Sequence, residues 1–343
     1  MKQVKQPNQL VSTKIVFTIR FIIVVFALWL YSAFNLHAQP WTYNFGSGTG
    51  TFTSTTASNV FCPAPSTGGG TARVRVGTNP GSIILSNPGL SALGTDTELQ
   101  ITSNTGSTST TKFSIFDFSS GLTGYVKFKI SFANGTNGIY RFYLGDGANF
   151  SDNNTVANSQ VFSGIEWSLL PSNAVTYKVL NNTTYGTTGI TGSTTLFSQS
   201  NTNIYEIEIF ANNNTQSINY SRAGNSYNLP SSTWDLWVNG QLAGTGLNKG
   251  AIANNVIFDS FAFNHQSSAS APGTIYIDDL EYSNTLPVST SPTITGAATT
   301  TAFNTTYGTS STVQNFTVSG SNLTADITAT APTGFEVSND GIT

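Results

Sequence analysis

From residue 41 onward, apolar and polar side chains alternate in short runs. The clearest run covers residues 125–132: Val126, Phe128, Ile130 and Phe132 fall on one side, Tyr125, Lys127, Lys129 and Ser131 on the other. A period of two places successive side chains on opposite faces of a strand, so this segment predicts a strand with one buried and one wet face. Residues 204–210 repeat the pattern, with Tyr205, Ile207 and Ile209 opposed to Glu206 and Glu208. Further strands are predicted at 41–45, 71–76, 98–102, 112–118, 139–144, 162–169, 177–180, 234–238, 241–243, 256–263 and 274–282, separated by Gly, Asn, Pro and Ser clusters. Asn239-Gly240 stands between two of them, and Asn-Gly tolerates the two positive φ angles of a type I′ turn, so a tight hairpin is expected there. No stretch carries a helical stripe. Many strands without helices predict an all-β antiparallel sandwich or barrel.

The N-terminus breaks this texture. Lys2, Lys5, Lys14 and Arg20 precede an apolar run at 21–34, and Leu36-His37-Ala38 precedes Gln39. A basic stretch, a short apolar core and a small residue before the cut are the parts of a secretory signal, expected over residues 1–38 with Gln39 first in the mature chain. The run is shorter than the roughly 20 residues a spanning helix needs, so no membrane span is expected after cleavage. Removing the segment leaves nine Lys and Arg against sixteen Asp and Glu, a formal charge of about −7. That balance argues against nucleic acid as a partner. Charged residues make up only 8 % of the chain, and one Cys leaves no internal disulfide framework, so the core must hold the fold.

The pattern divides again near residue 285. Residues 285–292 (Thr-Leu-Pro-Val-Ser-Thr-Ser-Pro) read as an extended linker. Beyond it, 293–343 hold four strand-sized pieces, at 293–295, 316–318, 326–328 and 335–337. About seven strands close an immunoglobulin-like sandwich, so the segment is expected to be an incomplete repeat of a longer chain; the alternative is a small appendage on the main domain.

Trp234-Asp235-Leu236-Trp237-Val238-Asn239-Gly240 resembles the aromatic strand and Asx-Gly hairpin of concanavalin A/laminin-G-like jelly rolls, and Ile275-Tyr276-Ile277-Asp278-Asp279-Leu280-Glu281-Tyr282 resembles their closing strand. The resemblance implies a concanavalin-like antiparallel β-sandwich over 39–284. Phe303-Asn304-Thr305-Thr306-Tyr307-Gly308, Phe316-Thr317-Val318-Ser319-Gly320 and Ala331-Pro332-Thr333-Gly334-Phe335-Glu336-Val337 resemble an Ig-like β-sandwich repeat of large Bacteroidetes-type surface proteins. That resemblance implies a multidomain exported protein, secreted or held on the surface of a Gram-negative bacterium and often sorted by the type IX route.

Candidate chemistry was weighed against these elements. Laminarinase-like hydrolases resemble one another in a strand motif Glu-x-Asp-x-x-Glu; here Glu206-Ile207-Glu208-Ile209-Phe210-Ala211 ends on alanine, so a carboxylate is missing, and alternation assigns both glutamates to a solvated face. His265, the one histidine after the signal, lies in a polar run read as a loop, and Cys62 reads as a free thiol near a loop. Neither has the companions a nucleophilic mechanism needs. In the closing strand Ile275 and Ile277 predict one inward face and Leu280 the other, so either a carboxylate turns inward or a bulge intervenes. Asp278 and Asp279 are therefore the candidate ligands of a structural calcium. Trp237, with Trp167 and Tyr43 behind it, is the candidate platform for stacking a sugar ring. The expected function is a non-catalytic module for glycans or surface polymers, or for adhesion. The alternatives are a hydrolase or lyase relic with altered catalytic residues and a spacer that displays a further domain.

Overall fold

The computed structural model describes residues 40–343 except 78–80, 94–95, 103–109, 137, 192–195, 267–272, 289–292, 297–300, 322–325 and 339–343. The signal segment and its cleavage point, 1–39, lie outside the described residues, as does 289–292 of the linker. Among the described residues no helix is long and apolar enough to cross a membrane.

Two antiparallel sheets form an all-β sandwich. In the first, β2 (Gly50–Phe52), β4 (Ser82–Ser86), β5 (Glu98–Thr102), β19 (Thr274–Ser283), β7 (Thr123–Ala133), β13 (Ser200–Asn212), β16 (Thr233–Val238) and β17 (Gln241–Asn248) lie side by side in that order. β1 (Trp41–Tyr43) also pairs with β19, so the first and last strands of the sandwich are hydrogen-bonded neighbours. In the second sheet the order is β3 (Thr71–Arg75), β6 (Thr110–Phe116), β18 (Ser260–Gln266), β8 (Ile139–Gly145), β9 (Val161–Leu169), β10 (Ala174–Asn181) and β11 (Thr184–Gly186), with β12 (Phe197–Ser198) also on β10. Consecutive strands repeatedly change sheets, which makes the contacts long-range and the sandwich closed.

The core lies between the inner faces. Val126, Phe128, Ile130 and Phe132 of β7 all enter it, as their alternation requires. Phe128 meets Phe263 edge-on at 4.8 Å and Phe142 at 5.1 Å, separations at which aromatic pairs attract through their quadrupoles. Asn239 and Gly240 have φ of 49° and 76°, and Val238 pairs with Gln241, so the type I′ hairpin forms where expected.

Two expectations are corrected. β18 runs to Gln266, so His265 is on a strand: it continues the inward series of Phe261 and Phe263, and its ring stands 5.0 Å from that of Tyr140. Among the described residues of the last segment only β20 (Thr293–Gly296) and β21 (Val318–Ser321) form a ladder, while 326–328 and 335–337 take no strand structure. Ile294, Phe316, Ile327 and Phe335 are all exposed, and strands without a covering face are marginal in water.

The chain divides into two compact units. One comprises the sandwich to Ile218 and Asn228–Leu286; the other comprises Asn219–Tyr227 and Pro287–Thr343. The second includes most of the hairpin of β14 (Ile218–Arg222) and β15 (Asn225–Leu229), in which Tyr220 and Tyr227 stack at 5.3 Å.

Candidate functional site

The three aromatic candidates are buried. Trp167 lies between the sheets, against Phe128, Phe132 and Phe197, and is 0 % exposed. Tyr43 also belongs to the core and donates its hydroxyl to the Pro63 carbonyl at 2.7 Å. Trp237 does point to the outer side of the first sheet, opposite Leu236 and Val238, but only 6 % of it is exposed. None of the three presents an open ring face. Alternation distinguishes inward from outward and is silent about a second layer over the outward face.

The closing strand contains the bulge that its sequence demanded. Pairing with β7 passes from Asp278↔Lys129 to Glu281↔Lys127, so that Asp279 and Leu280 stand opposite the single residue Phe128, and Asp279 sits at φ 50°. Ile275, Ile277, Leu280 and Tyr282 thereby all reach the core. Asp279 turns to solvent and meets Lys129 Nζ at 2.6 Å. Asp278 is fully buried: one carboxylate oxygen accepts the Asp279 amide at 2.8 Å and the other has no hydrogen-bond partner. Burial, with Asp279, Asp96 and Glu98 nearby, pushes its carboxyl up to about 7. Calcium takes six to eight oxygens. Among the described residues no three acidic, His or Cys side chains converge to hold a metal, and Asp279 is turned away, so the pair does not fit a calcium cage.

The glutamates of β13 are engaged. Glu206 pairs with Lys127 at 3.0 Å, whereas Glu208 is buried rather than solvated and accepts the Tyr125 hydroxyl at 3.2 Å. Ala211 is in the core. His265 is 2 % exposed, and burial lowers its pKa to about 4. Burial likewise pushes the Cys62 thiol up to about 12. Both are thus neutral at neutral pH, away from solvent, and poorly placed to act as a base or nucleophile.

A different surface gathers polar chemistry: the outer face of the second sheet. Strand register aligns Arg75, Lys112, Asn264, Arg141, Glu166 and Lys178 in one row across β3, β6, β18, β8, β9 and β10. One half of this face is roofed by the segment between β8 and β9, which carries the short helix α1 (Ala148–Ser151). Phe150 of α1 packs with Phe116, Tyr143, Leu180 and Ala262 in a small separate core. Three cations bind the roof: Arg73 and Arg75 donate to the Asp152 and Asn153 carbonyls at 2.7 Å, and Lys112 donates to those of Asn149 and Asn154 at 2.6 and 3.0 Å. Burial and the neighbouring Arg73 lower Lys112 to about 8.

The other half opens to solvent at Lys178, while Arg141 and Tyr185 are half-buried and Glu166 is buried. Arg141 grips Glu166 Oε2 through Nε and Nη2, at 2.8 and 2.6 Å, and its guanidinium lies 4.6 Å over the Tyr185 ring. Both interactions fix the plane of the guanidinium. Lys178 stands 3.9 Å from Glu166 Oε1 with 48 % of its side chain exposed. Gly164 makes room here, since a Cβ would stand 3.0 Å from both the Tyr185 hydroxyl and Leu180. None of these residues was singled out from the sequence. Outward Lys, Arg and Glu on strands look like ordinary solvated positions until the pairing order brings them together.

No protein family matches the chain, and neither does any curated protein. Among solved structures, the marine PL-14 alginate lyase from Aplysia kurodai overlays at TM-score 0.36 and 12 % identity, covering 58 % of this chain and 86 % of that one. A galectin-like protein of unknown function from Bacillus subtilis gives 0.35 and 10 %, with 57 % and 87 % covered. The carbohydrate recognition domain of Emp46p gives 0.30 and 11 %, with 57 % and 86 % covered. Overlays this loose decide nothing about chemistry, and the sandwich assignment rests on the chain's own strand pairing.

Proposed function

We propose that residues 39–284 form a non-catalytic, exported glycan-binding module whose contact surface is the open half of the second sheet's outer face. The observation that carries this reading is the cluster of Arg141, Glu166, Lys178 and Tyr185 on a rigid sheet: an exposed lysine beside an Arg141–Glu166 pair whose plane the Tyr185 ring holds. Saccharide hydroxyls are bound by a few polar groups fixed in place in this way. The engaged state of Glu206 and Glu208 and the interior position of His265 support binding without hydrolysis. The basic, short apolar N-terminal run supports a secreted or cell-surface location in a Gram-negative bacterium, and 293–343 reads as part of an Ig-like repeat.

The test is a glycan panel screened with the mature chain, in which binding is expected to weaken with Lys178→Ala and to persist with Lys127→Ala on the other sheet. Release of reducing or unsaturated ends from any bound polymer would overturn the non-catalytic assignment.

A further inference from the structure

Resting on the glycan-binding reading above, we infer that the saccharide taken by the second sheet's outer face is anionic, its charge borne on carboxylate or sulfate groups. The first ground is the distribution of charge. Beyond residue 38 the chain holds nine Lys and Arg against sixteen Asp and Glu, so an even spread would leave every face negative. Five of the nine (Arg73, Arg75, Lys112, Arg141 and Lys178) share this face or its roofed margin, accompanied there by Glu166 and by Asp146 and Asp152 of the roof. The first sheet's outer face carries an excess of acid: Lys127 and Lys129 are each ion-paired, to Glu206 and Asp279, with Glu208 and Glu281 beside Lys127 in the register.

The second ground is how the cations under the roof are satisfied. Arg73, Arg75 and Lys112 donate to backbone carbonyls, and the nearest carboxylate oxygen to Lys112, of Asp152, is 4.0 Å away. Carbonyl oxygens use up hydrogen-bonding capacity without cancelling charge, so the positive field of these groups persists along the row. Cations outnumber carboxylates along the row, and a low-dielectric sheet surface strengthens the resulting positive potential. At the open end of the row Lys178 is half exposed and the planar fork of Arg141 is held by Glu166 and Tyr185. Arg141 spends Nε and Nη2 on Glu166, so Lys178 is the cation presented to solvent, and its ammonium bonds a carboxylate or sulfate more strongly than a hydroxyl.

The experiment titrates the mature chain calorimetrically with three oligosaccharides of equal length: a polyuronate, a sulfated galactan and a neutral β-glucan, each at low and high salt. Binding of one or both acidic probes is expected, weakened by salt and by Lys178→Glu on the order of tenfold. Lys178→Gln should give an intermediate loss. The two acidic arms identify the charged group. A neutral glucan bound as well as the acidic probes, with no effect of salt or of Lys178→Glu, would overturn the anionic assignment and leave glycan binding standing. Failure of all three probes and of the wider panel would overturn both.

Discussion

Replacing Asp278 with asparagine tests whether a buried carboxyl at the β19 bulge is held by protonation or by a partner. The carboxyl moves from an ordinary 3.8 to about 7 in the folded chain. A folded-state pKa raised above the unfolded one means that the group favours folding fully below about 4, and that this contribution is lost as pH rises through 7. The displacement is about three pKa units, so ionised Asp278 costs up to ~4 kcal/mol at pH 8 relative to its protonated form. Asparagine preserves the shape and an acceptor for the Asp279 amide and carries no charge. Asp278→Asn should therefore match the wild type near pH 4 and exceed it by ~2–4 kcal/mol at pH 8. At about 2–4 °C per kcal/mol for a domain of this size, the melting midpoint should rise by roughly 5–15 °C. Urea unfolding of the mature chain at several pH values measures the difference, and subtracting the variant removes every other titrating group. A variant less stable than wild type at pH 8 would refute the reasoning, because it would mean that a cation or donor stabilises the charge. If adding calcium restored the wild type's advantage, the cation would be identified.

His265 has the opposite sign. Its folded pKa of about 4 lies below the usual 6.5, so the stability it contributes is present above 6.5 and lost as pH falls towards 4, by up to ~3 kcal/mol. His265→Leu should flatten that acid limb in urea midpoints, and an unchanged limb would show that the imidazole can be protonated in place. Trp167→Ala should destabilise by ~3–5 kcal/mol in denaturant titrations while leaving the glycan affinity of the folded fraction unaltered, as befits a core residue. At Gly145, where β8 and β9 lose register, a Cβ would meet the Gln160 carbonyl at 1.9 Å. Gly145→Ala should thus force a backbone shift costing ~1–3 kcal/mol, read as a lowered melting temperature, with faster proteolysis of the roof between β8 and β9.

What the sequence determined by itself was local. The period of two identified β7, β13 and β19, and Asn239-Gly240 announced its hairpin, because each depends on sterics within a few residues. Even the bulge was legible, since Ile277 and Leu280 cannot both face inward without an extra residue between them. β4 was missed although Ile83 and Leu85 do alternate, because Ile84 between them blurred the pattern. The tertiary structure alone decided which outward side chains are screened from solvent, and so buried Trp237 and Glu208 where alternation had placed them on an outer face. It also decided the charged row, in which Arg75 and Asn264 stand one strand apart from Lys112 on either side although nearly two hundred residues separate them in the chain. Side-chain direction is fixed by the residue's own backbone, whereas lateral neighbours are fixed by which strands pair, and in a sandwich whose chain keeps crossing between sheets that order is written in no local segment.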